Sequence, residues 1–214
     1  MRSLALFVLV STSTLACTAS VPASGPSYDS VRDRMEHAPA PRLFIGSTGS
    51  TGAITAQRYT PSGWQAGNVA LAITSGELVA RADDRGTLAL DHLEVAIAPI
   101  EIPQDVFGKP AQLQDLKVKL VSPTVGDTQW SGEDSANANL DLRLDLEWAI
   151  AINGGVTPLG TQHLPAIPVV LSLSGDGETV DASIGLAATG DLWSWAGLIR
   201  LTALQLSLAA QTVD

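Results

Sequence analysis

Residues Ala138 to Ile152 read ANLDLRLDLEWAIAI, and their pattern decides the fold. Every even position is apolar (Ala138, Leu140, Leu142, Leu144, Leu146, Trp148, Ile150, Ile152), while the odd positions from Asn139 to Glu147 are polar or charged. A helix would scatter those leucines around its circumference with Asp141, Arg143 and Asp145 among them; a strand puts them all on one side. At about 3.3 Å per residue the run extends roughly 50 Å, well beyond an ordinary strand. Asn153-Gly154 follows, a dipeptide suited to a two-residue hairpin turn. The stretch is therefore expected to form one long strand with a dry even face and a wet odd face.

The same period of two extends outward. Downstream, Pro158, Pro165 and Pro168 make the return leg an edge, a bulged strand or a loop. Val169-Leu171-Leu173 then alternates, Gly175-Asp176-Gly177 turns, Val180 to Leu186 alternates, and Gly190-Asp191 marks a break. Trp193 to Leu201 suits a short helix or extended chain, and Leu204-Leu206-Leu208 is strand-like. Upstream, Leu116-Val118-Leu120 is a strand, and Val125 to Ala136, with Trp130, reads as loop. Val69-Leu71-Ile73 and Leu78-Ala80-Ala82 flank an expected turn at Ser75-Gly76, and Asp83 to Gly86 makes another. Parity changes between Leu90 and Leu93 and again between Ile97 and Ile100, each change implying a bulge or bend. The Gly-rich run Gly46 to Gly52 lacks the Gly-Lys-Ser/Thr ending of a phosphate loop and reads as a flexible loop or bulged hairpin. The fold expected is all-β, a single domain over residues 42–214: a curved antiparallel sheet, sandwich or barrel with long alternating strands and at most short helices.

The beginning of the chain has another character. Met1-Arg2 is followed by an apolar run, Leu4 to Val10, too short to span a bilayer, and then by small residues. Residues 1–16 are read as a signal peptide. Thr14-Leu15-Ala16-Cys17 resembles the lipobox of bacterial lipoproteins. That resemblance implies cleavage before Cys17, lipid attachment at Cys17, and a membrane anchorage made by the N-terminal acyl chains. Thr18, where an Asp would retain such proteins at the inner membrane in the enterobacterial pattern, implies the outer membrane. Residues 17–41, rich in Ser, Ala and Pro, read as a flexible tether with a short charged segment from Tyr28 to His37. Cys17 is the only cysteine, so no disulfide is expected. A formal charge of −10 argues against a nucleic-acid partner.

The sequence offers no catalytic or metal-binding pattern. His37, His92 and His163 have no metal-ligand spacing, and neither Gly-x-Ser-x-Gly nor Ser-x-x-Lys occurs. Asp141, Asp145 and Glu147 share one strand face at spacings that two glycosidase carboxylates adopt, yet Arg143 is interleaved and no aromatic stacking residue flanks them on that face. They read as a solvated, charge-compensated face. An enzyme is not expected, nor a cofactor. The interior is aliphatic, since aromatic residues make up only 5% of the chain, so it can pack against itself, against a partner, or around an acyl chain. Leu140, Leu142, Leu144, Leu146, Trp148 and Ile150 are the ligand-lining candidates. Trp193 and Trp195 are candidates for a core plug, a ligand clamp or a membrane-touching tip. Long, repeatedly bent alternating strands resemble, in architecture alone, elongated lipid-carrying β-folds such as the tubular lipid-binding superfamily. The function expected is an envelope-anchored lipoprotein that binds a lipid or other hydrophobic ligand in an aliphatic concavity. The alternative is an interaction module with a filled core that docks on an envelope protein.

Overall fold

The computed structural model describes residues 27–38, 41–102, 109–195 and 199–212, leaving aside the side chain of Trp195. The signal peptide, Cys17 and the tether up to residue 26 lie outside the described residues, as do Phe107 and Gly108. Among the described residues one helix, α1 (Val31–His37), precedes β1 (Arg42–Ile45), β2 (Thr51–Thr60), β3 (Gly63–Leu71), β4 (Ile73–Ala82), β5 (Leu88–Ile97), β6 (Ile100–Ile102) and β7 (Ala111–Leu120). Then follow β8 (Thr124–Val125), β9 (Asp127–Trp130), β10 (Ser135–Leu142), β11 (Leu144–Ile152), β12 (Gly155–His163), β13 (Ile167–Gly175), β14 (Val180–Trp195) and β15 (Ile199–Thr212). All join one antiparallel sheet whose main path runs β12-β11-β7-β5-β4-β1-β15-β14-β13-β10-β9, with β2 and β3 branching from β15, β6 on β7 and β8 on β5, the whole curled into a half-barrel. The all-β expectation is met.

The long alternating stretch is two strands. β10 pairs with β9 and β13 at one end of the sheet, β11 with β7 and β12 at the other, and Arg143 alone separates them. This segment therefore crosses from one end of the curled sheet to the other. Its even residues from Ala136 to Ile150 remain buried through the corner, because a one-residue break preserves parity. Asn153 and Gly154 both take positive φ (50° and 82°) in the expected two-residue turn between Ile152 and Gly155. β12 is a bulged edge strand containing Pro158, where its proline costs no ladder bond.

Both parity changes correspond to irregularities. Val79 pairs with His92 and Ala80 with Leu90, so Asp91 is the extra residue of a bulge. Ala98-Pro99 separates β5 from β6. Other expectations give way. Ser75-Gly76 is no turn: Gly76 lies inside β4, where a Cβ would sit 2.6 Å from the Glu94 carbonyl oxygen and 3.1 Å from the Ile45 side chain. The Val125–Ala136 segment is mostly strand, and Gly190-Asp191 is an irregularity within β14. Trp193, Ser194 and Trp195 pair with Leu201, Arg200 and Ile199, so the final segment is hairpin and not helix. The Gly46–Gly52 run interrupts a single strand line, since β1 and β2 lie end to end along β15. Ser50 repairs the gap: its hydroxyl accepts from the Ala209 N–H (3.0 Å) and donates to the Ala209 carbonyl (3.3 Å).

The charged segment assigned to the tether is folded. Ser30 caps α1, its hydroxyl accepting from the Asp33 N–H at 3.1 Å. Val31 and Met35, one turn apart, are buried in the main core. The Arg32 N–H donates to the Glu133 carbonyl, and the Arg34 guanidinium donates to the carbonyls of Gly177 and Glu178. The helix thus packs across the end of the half-barrel formed by the β9–β10 and β13–β14 turns. An i, i+4 pair of apolar residues is too short a signal to separate such a helix from a linker.

Candidate functional site

The sheet splits at Ala72 and Ala98, and the split creates the site. β4 and β5 are paired from Ala82 and Leu88 to Ile73 and Ile97, and the Ala98 N–H then donates to the Ala72 carbonyl at 2.9 Å. Beyond that bond the two lips diverge. β3 pairs with β2, while beyond the Ala98-Pro99 break, where Pro99 has no N–H to offer, β6 carries on along β7 in the register that β5 already keeps with it. Among the described residues β3 pairs only with β2, and β6 only with β7. A cleft of about 330 Å³ lies between them. Its lips are Gln65 to Val69 on β3 and Ile100 to Ile102 on β6. The apolar lining between the lips comes from β2 (Ile54), β7 (Leu113), β11 (Ile150), β14 (Trp193) and β15 (Ile199, Leu201).

Between the lips, Ile54, Leu113, Ile150, Ile199 and Leu201 are buried and face inward. On β15 the parity changes between Leu201 and Leu204, because a register irregularity against β2 falls between Leu201 and Ala203. That irregularity lets both residues be buried. Trp193 meets Trp148 edge-to-face, with ring centroids 4.7 Å apart. The Trp148 indole N–H is buried without a hydrogen-bond partner among the described residues. Polar groups are confined to the rim: Asn68 accepts from the Thr55 hydroxyl (2.8 Å), and Gln65 accepts from the Arg58 guanidinium (3.3 Å). Glu101, on the β6 lip, is the acidic group of the lining.

Of the ligand-lining candidates, Ile150 reaches the cleft and Trp148 stands one ring behind it. Leu142, Leu144 and Leu146 are buried in the packed core, and neither recess is lined by them. Leu140 borders a second recess of about 550 Å³, whose other lining includes exposed Asn139, Asp141, Pro168, Val170 and Gly185. That recess is larger but wet, with nothing to retain an apolar molecule. Ile54, Val69, Ile100, Ile102, Leu113, Ile199 and Leu201 also line the cleft, outside the candidate set, and Trp193, for which a ligand clamp is one of the readings, reaches it too. The available signal was Pro99, which sits at a parity change and has no N–H to continue the β4–β5 ladder.

Asp145 and Glu147 of the long stretch meet partners on other strands and not Arg143. Asp145 contacts His163 Nδ1 at 2.6 Å and Glu147 contacts Lys119 at 2.7 Å. The Glu147 contact raises the Lys119 pKa above its ordinary value, chiefly through the hydrogen bond. Among the described residues no group of three or more His, Cys, Asp or Glu is placed to hold a metal ion. No protein-family model matches the chain, and no curated protein matches it.

Proposed function

We propose that this chain is a lipid-anchored envelope protein whose split half-barrel binds a single hydrophobic chain. The observation that carries the reading is the cleft itself: a recess with an aliphatic and indole lining, polar only at its rim, formed where the sheet divides. Its volume of about 330 Å³ is at the small end of ligand sites, which suits one acyl chain better than a whole two-chain lipid. About ten methylenes buried there contribute roughly 8 kcal/mol before the cost of association, enough for reversible capture. Cys17, in its lipobox-like context, supplies the anchor in this reading, and the outer membrane is the proposed location.

The test is native mass spectrometry of the chain carrying Cys17→Ser, purified gently from its host, with extraction of whatever is bound. A stoichiometric lipid supports the reading, and Leu201→Trp, which fills the recess, should then abolish loading. A clean apo mass that persists after incubation with envelope lipids removes it. A second reading draws on the unpartnered backbone of β3 and β6: an extended peptide from an envelope protein pairs with one lip and lays alternate side chains into the recess. Peptide in place of lipid in the same spectrum would establish that version.

A further inference from the structure

The half-barrel has two distinct ends, and β15 connects them. Thr212 stands at the α1 end, pairing with Leu43 and accepting the Val180 N–H through its hydroxyl at 3.0 Å. Ile199, at the other extremity of β15, pairs with Arg58 and lines the cleft. At about 3.3 Å per residue these positions are roughly 40 Å apart along the strand. α1 therefore lies at one end and the cleft opens at the other.

Beyond the cleft the β2–β3 hairpin projects to the turn at Pro61-Ser62, and its tip carries aromatic and cationic side chains. Tyr59, 56% exposed, meets Trp64 edge-to-face with centroids 5.5 Å apart. The Arg200 guanidinium lies 4.3 Å over the Trp64 ring. In β2, β3 and the length of β15 paired with them the charged residues are Arg58 and Arg200, both positive, in a chain of formal charge −10. Acidic residues cluster at the far end, in the Asp83-Asp84 and Asp176–Glu178 turns and around α1, while Glu101 on the β6 lip and Asp191 in β14 are acidic groups on the cleft side. Those turns are several screening lengths away at physiological ionic strength, and within β2, β3 and the paired length of β15 the charge is positive.

From this arrangement we infer that the β2–β3 tip docks on a lipid bilayer and sets the cleft against it. Tyr and Trp side chains combine an apolar body with a polar edge, which suits the headgroup zone, and guanidinium groups reach lipid phosphates from the same level. Docked in this way the lips at Gln65 to Val69 and Ile100 to Ile102 lie beside the bilayer, and an acyl chain passes between membrane and cleft without crossing water. With α1 at the opposite end, the bilayer met by the tip is a different surface from the one holding the N-terminus when the domain stands upright. The role of the contact rests on the proposed function; the contact itself does not.

The experiment uses the chain from Thr18 onward, which retains every described residue, and vesicles of phosphatidylethanolamine and phosphatidylglycerol. Wild type should sediment with the vesicles, and the triple variant Tyr59→Ser, Trp64→Ser, Arg200→Gln should lose about tenfold or more in partitioning while keeping its thermal midpoint and its equilibrium binding of a monomeric fluorescent fatty acid. Brominated lipids should quench wild-type tryptophan emission, with Trp64→Phe removing that quenching. Should the triple variant not fold, the quenching measurement alone decides. A wild type that ignores the vesicles, or a folded triple variant that binds them equally well, overturns the docking. Vesicle binding without fatty-acid binding instead overturns the cleft reading and leaves the docking in place.

Discussion

Leu142 and Leu144 are neighbours but one in the chain, yet they pair at opposite ends of the sheet path, Leu142 with Ile167 and Leu144 with Leu120. The half-barrel is shaped by this corner: two ladders sharing one continuous segment must curl toward one another. Both side chains are buried, so the corner is also the centre of the core.

Leu144→Asp should leave no cooperative unfolding transition, because it puts an unpaired carboxylate at a position 1% exposed. Leu144→Ala should fold with a loss of about 2–5 kcal/mol in a urea titration. An aspartate variant of wild-type stability would show that the even face is not the core.

The helix gives a second expectation. Met35→Ala should destabilise the protein by about 2–5 kcal/mol, as for other fully buried side chains. A chain starting at Ser27 should melt like the longer one, and a chain starting at Arg42 well below it. Equal melting of the two truncations would return residues 27–38 to the tether.

Glycines separate packing from turn chemistry. Gly76→Ala should cost about 1–3 kcal/mol, since the new methyl meets the Glu94 carbonyl and Ile45 across the ladder. Gly67→Ala, where nothing lies within 4 Å, should stay within about 0.5 kcal/mol. Denaturation midpoints of the two variants, measured side by side, check the contrast.

Acid should reveal the Asp83 turn. The Thr87 and Arg85 N–H groups donate to Asp83 Oδ1 at 2.8 and 2.9 Å, and these bonds, Thr87's foremost, hold the carboxyl below its ordinary value of 3.8. A pKa lower in the folded state than in the unfolded one stabilises the fold above the unfolded value, and that stabilisation disappears as pH falls through the folded value. Asp83→Ala should therefore be less stable than wild type at neutral pH, the gap narrowing below about pH 3.8. A gap independent of pH would place the loss in packing.

Strand character was legible almost wherever polarity alternated, because one face of each strand meets the core and the other meets water. The hairpin at Asn153-Gly154 and the bulge at Asp91 were legible for the same local reason: turn chemistry and parity are written in adjacent residues. Gly76 was misread as a turn because its reason for being glycine is Glu94 and Ile45, which other strands bring to it. The helix was misread because its apolar residues need β-strand partners to be buried. The site was the least legible part: Leu142 to Leu146 pack among themselves, while Ile54, Ile100, Leu113, Ile150, Trp193 and Leu201 come from separate strands and meet only where the sheet parts.

By itself the sequence determined that the chain folds as β-structure, which residues face inward, and where parity must change, since all three follow from the two-residue period of an extended backbone. Only the tertiary structure decided which strands are neighbours, that one alternating stretch serves both ends of the sheet, and that β3 and β6 separate to leave an apolar cleft. Those depend on contacts between residues far apart in the chain, and an alternating strand carries little information about which other alternating strand it will join.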